Sequence, residues 1–320
     1  MQRIRQSLNS RDCSKVKDWF KCTGLVVVFT CLVLSSCTPK KTASSRLKVV
    51  TSVPVIYDWT RNLMDEPTNT RLFLNLIIKN GLDYHFYKAG VTEENLINSA
   101  DRLIYVGGPS EKWIDEIVAK GASEKPDRLV LKLSDYLGEM NEDFDEHFIL
   151  SPSLAKTSCE KISEYLCKLD AQNSESYRQH SLKYTELLSM LDSTYKLQAQ
   201  KIQAQTFIIC DRMPFKMLFE EYGFNYISIC DSCPTPASFK PDLETIKNFG
   251  QQIDELNASA VYVFEDSDKK LAKQVISTSK NPKCDTLVFD SMESLTLSQL
   301  FSGKNYINIM QNNLTLLRPN

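Results

Sequence analysis

The chain has 320 residues, 42% apolar and 24% charged, with 38 basic against 40 acidic side chains and a formal charge of −2. So even a balance argues against a nucleic-acid partner, and the length allows two lobes with cores of their own.

Residues 1–36 read as an export leader. Arg3, Arg5, Arg11, Lys15, Lys17 and Lys21 run into an apolar stretch from 24 to 34, the order of a cleaved signal peptide. That stretch is shorter than the roughly 20 residues a membrane span needs. Leu34-Ser35-Ser36-Cys37 looks like a bacterial lipobox, which would make Cys37 the lipid-modified first residue of the mature protein. Losing the leader removes six basic and two acidic residues and takes the charge from −2 to −6, so nucleic acid becomes still less expected. Residues 37–46, rich in Lys, Ser and Thr, form a flexible tether.

From residue 47 short apolar runs alternate with amphipathic segments: strand 47–53, helix 56–64, strand 71–78, helix 93–100, strand 103–106, helix 109–120, strand 129–133. Such alternation specifies a parallel sheet. Thr92 and Ser110, each followed by acidic residues, are the expected N-caps. No glycine or proline occurs between 172 and 203, where Tyr177, Tyr184, Leu188, Leu191, Tyr195 and Ile202 recur at helical steps; this predicts one helix of about 45 Å. The alternation then restarts, with strands at 205–211, 226–229, 260–264 and 286–290 and helices at 215–222, 242–256 and 269–277. The expected fold is therefore α/β: two lobes, 47–171 and 204–320, each with a mostly parallel sheet flanked by helices, joined by the long helix 172–203.

The ten glycines form neither a phosphate loop nor a dinucleotide fingerprint, and no hydrolase elbow or zinc-protease helix occurs. Six cysteines follow Cys37, and their pairing stays open; Cys159 and Cys167, eight apart on a probable helix and so about 12 Å apart along its axis, should not bond each other. Cys230-Asp231-Ser232-Cys233 has redox spacing, but Pro234 and Pro236 favour a loop. Of the three histidines, His180 lies on the long helix and reads as surface. His85 and His147 each stand beside an apolar run, in Gly81-Leu82-Asp83-Tyr84-His85 and Asp145-Glu146-His147-Phe148-Ile149-Leu150. Strand ends are where α/β proteins place ligand groups, and imidazole is the commonest metal ligand.

Taken together, these segments resemble the metal-binding solute-binding proteins of bacterial ABC transporters for zinc and manganese, solute-binding protein family 9. The resemblance covers most of 47–319. It rests on Val50-Thr51-Ser52-Val53-Pro54; on Gly81-Leu82-Asp83-Tyr84-His85-Phe86-Tyr87, close to the family's G-x-D-P-H-x-Y; on Ala100 to Gly107 followed by Trp113; on Asp145-Glu146-His147 through Pro152; on 215–223; and on the C-terminal segment 305–314. It implies a monomeric, lipid-anchored receptor, periplasmic or on the cell surface, that is not an enzyme. Such a receptor captures a divalent ion (zinc, manganese or iron) between its lobes and delivers it to an ABC permease.

The family holds its ion with two side chains from each lobe. His85 and His147 match the first pair and Asp290 the last carboxylate, while the position of the third ligand, His or Glu in the family, holds Arg212. A guanidinium about 5 Å from a dication repels it by roughly 6–7 kcal/mol at an effective dielectric near 20, and arginine cannot act as a ligand. Three arrangements accommodate it. Arg212 swings to solvent; a neighbour (Asp211, Cys210, Glu265 or the Cys230/Cys233 loop) replaces the ligand; or Arg212 pairs with Asp290 and the cleft takes an anion or metal chelate. A retired surface lipoprotein and an exported thiol-redox or metal-dependent enzyme are the rival classes. The run Glu139, Glu142, Asp143, Asp145, Glu146 lacks histidine and reads as a solvated loop. Imidazole must lose its proton to bind metal, so affinity is expected to fall as pH drops through about 6.5.

Overall fold

In the computed structural model the described residues are 46–318 without 66–68, 70, 124, 138–144, 203–204 and 233–238. The leader, Cys37, most of the tether, Cys233 and the acidic run from 138 to 144 lie outside them. The first sheet contains β1 (Leu47–Thr51), β2 (Leu72–Leu76), β3 (Arg102–Tyr105) and β4 (Leu129–Lys132), all parallel, in the order β2-β1-β3-β4. Helices α1 (Pro54–Met64), α2 (Val91–Ser99) and α3 (Lys112–Lys120) lie in the connections between its strands, and α4 (Pro152–Leu169) follows. The second sheet repeats the pattern with β5 (Thr206–Ile209), β6 (Asn225–Ser228), β7 (Ala260–Phe264) and β8 (Asp285–Phe289), in the order β6-β5-β7-β8. Its helices are α6 (Lys216–Tyr222), α7 (Leu243–Glu255) and α8 (Lys270–Thr278), followed by α9 (Leu297–Phe301) and α10 (Tyr306–Leu316). Between the sheets runs α5 (Ser174–Lys201), 28 residues and about 42 Å long.

Period-two alternation explains how the second sheet is covered. Phe207, Ile209, Tyr262, Phe264 and Phe289 face the main core, while Ile208, Val261 and Val263 pack with Ile253, Ala272 and Val275 on the opposite face. Both faces are shielded, as parallel sheets require, and all five residues of β7 are buried. The buried stripe of α5, Tyr177, Tyr184, Leu188, Leu191 and Tyr195, belongs to the same core. The lobes therefore share a core, with specific ties across it. Asp58 accepts the Tyr306 N–H at 3.0 Å, Trp59 packs edge-on against Tyr306 at 5.3 Å, and Tyr195 Oη donates to the Met310 carbonyl at 2.9 Å. Glu221 on α6 accepts from Ser151 and Ser153.

Two expected caps differ. The N-cap of α2 is Gly90, whose N–H is bound by Glu93 Oε2 at 2.8 Å; Thr92 is already helical. Ser110 caps nothing, because its N–H and hydroxyl both donate to Glu146. Cys159 and Cys167 lie on α4 with free thiols, as do Cys210, Cys230 and Cys284 elsewhere. Among the described residues no helix is long and apolar enough to cross a membrane.

Candidate metal site

The two histidines are delivered by the same local device. Each is the second residue of a short 3-10 turn, Tyr84–Phe86 and Glu146–Leu150, capped by an aspartate two residues ahead of the histidine. Asp83 Oδ1 accepts the His85 N–H at 2.9 Å and meets its Nδ1 at 2.7 Å; Asp145 Oδ1 does the same for His147 at 2.9 and 2.6 Å. A single carboxylate thus fixes both the backbone turn and the ring. With Nδ1 engaged, Nε2 of His147 faces Glu293 at 3.3 Å and Nε2 of His85 faces Glu146 at 3.3 Å, and such second partners fix the ring that offers a nitrogen to a metal. The rings stack 5.0 Å apart, and the His85 side chain is fully buried.

The third group is Glu293. Ligand-capable atoms of His85, His147 and Glu293 lie within 4.8 Å of one another, and Glu293 Oε1 is 3.3 Å from His147 Nε2. Burial opposes its charge, but hydrogen bonding to His147 and the charges of Arg212 and the imidazoles prevail and lower its pKa to about 2. At His85 burial likewise opposes the charged form, yet hydrogen bonds to Asp83 and Glu146 and the charge of Glu293 raise its pKa to about 9. The titration that competes with a metal at His85 therefore sits well above the 6.5 of a free imidazole.

Asp290 does not join this group. Its Oδ2 pairs with Lys304 Nζ at 2.6 Å, and its Oδ1 accepts the Met292 N–H at 2.9 Å. Met292 is in the left-handed region, φ +64°, so Asp290 builds the turn that swings Glu293, three residues on, toward the histidines. Glu265, at the end of β7, steadies that turn by accepting Ser291 N–H at 2.8 Å and Glu293 N–H at 3.2 Å. Opposite, Gly81 has φ +66°, and a Cβ there would meet the Ser294 carbonyl at 2.8 Å. Only glycine lets the His85 loop approach the Glu293 loop this closely.

Arg212 neither turns to solvent nor pairs with Asp290. It is 8% exposed and grips Glu293 Oε2 through Nε at 3.1 Å and Nη2 at 2.7 Å, with the guanidinium 5.7 Å from the Phe264 ring centroid. Nor do the described neighbours take over as ligands. Asp211 accepts the N–H groups of Arg212 and Phe264, Cys210 packs in the core on the far face of its sheet, and Cys230 is buried beside Ser232. Glu146 is not in a solvated loop. It is 6% exposed, its Oε1 lies 3.3 Å from His85 Nε2, and its pKa is lowered, burial being outweighed by bonds to His85 and Ser110. His180 stays on α5, away from the group, near Ser176.

Two lobes with parallel sheets, a rigid connecting helix and convergent side chains beyond the carboxyl ends of β2, β4, β5 and β8 define a solute-binding protein. The chain belongs to the family described as zinc-uptake complex component A, periplasmic, which matches residues 49–319. It is 25% identical over 320 residues to the high-affinity zinc uptake system protein ZnuA of Bacillus subtilis, covering 93% of this chain and 97% of that protein. It is 24% identical to the zinc-binding lipoprotein AdcA of Streptococcus pneumoniae, covering 93% of this chain but spanning 60% of the relative's length. The crystal structure of the metal-dependent lipoprotein YcdH of B. subtilis superposes with a TM-score of 0.73 at 25% identity, covering 85% of this chain and 98% of that one. The Zn(II)-bound ZnuA-like domain of S. pneumoniae AdcA gives 0.70 at 23% identity, covering 85% and 97%, a likeness of fold. Of these, ZnuA is named for zinc uptake, AdcA for zinc binding and YcdH as a metal-dependent lipoprotein; none is named as an enzyme.

Proposed function

We propose that this chain is an exported, monomeric receptor that captures one divalent metal ion, zinc in the first instance, between its lobes and hands it to an ABC permease. In this reading 1–36 is removed, Cys37 carries the lipid, 37–46 is the tether, and the protein works in the periplasm or at the cell surface. The observation that carries it is the convergence of His85, His147 and Glu293 within 4.8 Å, each imidazole held by its own aspartate. Two imidazoles and a carboxylate suit zinc, and also manganese or iron; the zinc-binding names of the relatives put zinc first. The anion alternative loses ground because Glu293 already matches the charge of Arg212. The test is elemental analysis of the purified mature protein, with thermal melts in added zinc, manganese and iron(II). One equivalent of metal and a higher melting point are expected; no metal and no shift with any of the three would reject the reading.

A further inference from the structure

We infer that Asn80 and Thr296 form the clasp of the cleft, a backbone contact that opens to admit the ion and opens again to release it. The inference rests on the proposed metal-capture function and adds the path of exchange. Nε2 of His85 and Nε2 of His147 are closed to solvent, and the Glu293 side chain is 1% exposed. An ion therefore reaches these groups only after the lobes part around them. Asn80 and Thr296 cross from one lobe to the other as an isolated antiparallel bridge. It joins the two loops that carry these groups, since Asn80 lies five residues before His85 and Thr296 three after Glu293.

The clasp is built to close tightly and to part easily. A Cβ on Gly81 would fall 2.8 Å from the Ser294 carbonyl oxygen and 2.9 Å from Thr296 Cγ2, so the glycine lets the two backbones meet. On the other side Leu295, 2% exposed, anchors the Glu293 loop in the core, and Thr296 is held in its own lobe by the reciprocal cap with Gln299 that starts α9. Asn80, by contrast, is exposed, and a lone bridge at the surface belongs to the low-stability end of a fold. The ties of Asp58 to Tyr306 and of Tyr195 to Met310 lie among fully buried side chains. Parting there would expose core, so they act as the hinge. The clasp includes none of the three metal-competent side chains. Having no differential contact with the ion, it should set the rates of entry and exit and leave the affinity nearly unchanged.

The experiment locks the clasp with the double variant Asn80→Cys, Thr296→Cys of the mature protein. Partners in an antiparallel pair have Cα atoms about 4.5–5.5 Å apart, within the roughly 4.4–6.8 Å that a disulfide spans. Mild oxidation should therefore join them, and peptide mass spectrometry verifies the bond. Loading from zinc chloride and release into EDTA are then timed by elemental analysis after desalting, before and after reduction with a phosphine. At least a tenfold slowing of both is expected in the oxidised form, with recovery on reduction. Equal rates in the two forms, or failure of the introduced thiols to join in the folded variant, overturns the inference while leaving the capture function standing. Should the double variant not fold, Gly81→Ala takes its place, its Cβ forcing the clasp apart; severalfold faster release is expected, and unchanged release overturns the inference. Absence of metal binding by the unaltered protein overturns the function itself, and the inference with it.

Discussion

Removing the Arg212 guanidinium by Arg212→Ala should weaken the metal-free protein and strengthen its grip on metal. The guanidinium holds Glu293 Oε2 at 2.7 Å, so an ion on the other carboxylate oxygen would lie on the order of 5 Å from it. At an effective dielectric near 20 that repulsion is roughly 6–7 kcal/mol. Without the arginine, Glu293, 2% exposed, keeps only the imidazoles as partners, and losing its guanidinium costs the metal-free state up to about 3–5 kcal/mol. A bound ion removes that cost. Even if relaxation absorbs half of the repulsion, about 3 kcal/mol remains, a gain in affinity of roughly a hundredfold. Competition titration reads the gain, and a melt of the metal-free variant reads the loss of stability. Unchanged or weaker zinc binding in a variant that still folds would refute this account of Arg212.

Metal affinity should climb with pH between about 6.5 and 9. His85 titrates near 9 in the metal-free protein, so below that value an arriving ion must displace its proton, and each unit of falling pH costs up to tenfold. Calorimetry in buffers of different ionisation enthalpy should find about one proton released per metal at pH 7, and an affinity flat from pH 6 to 9 would contradict this. Asp83→Ala frees the His85 ring and should lower zinc affinity about 10–100-fold with little effect on folding; an unchanged titration would count against the shared Asp-x-His device. Asp58→Ala leaves the Tyr306 N–H buried without its partner and should cost about 1–3 kcal/mol in denaturant unfolding, whereas a cost near zero would mean that this tie between the lobes contributes little.

The sheets were legible because their strands are short apolar runs bounded by polar turns, and the long helix because nothing between 172 and 203 breaks it. His85 and His147 stood out because each stands beside an apolar run and the resemblance paired them; that an aspartate two residues ahead turns each ring is seen only in the structure. Across the cleft the resemblance pointed to Asp290, and the structure puts Glu293 beside the histidines instead. Asp290 follows β8 directly and looks like a strand-end ligand, but Lys304, 14 residues on, claims its carboxylate and its other oxygen forms the turn. Only the left-handed Met292 brings Glu293 inward, and no rule of composition announces a non-glycine residue there. Glu146 was hidden among other acidic residues; its burial depends on Ser110 and Gly108, some 36 residues earlier.

Diffraction at the zinc edge from crystals of the mature protein soaked in zinc chloride bears most directly on the capture site. One strong anomalous peak is expected about 2.0–2.2 Å from Nε2 of His85, Nε2 of His147 and a carboxylate oxygen of Glu293. A zinc-loaded crystal with no peak among these three residues, or with its metal held elsewhere, would contradict the assignment.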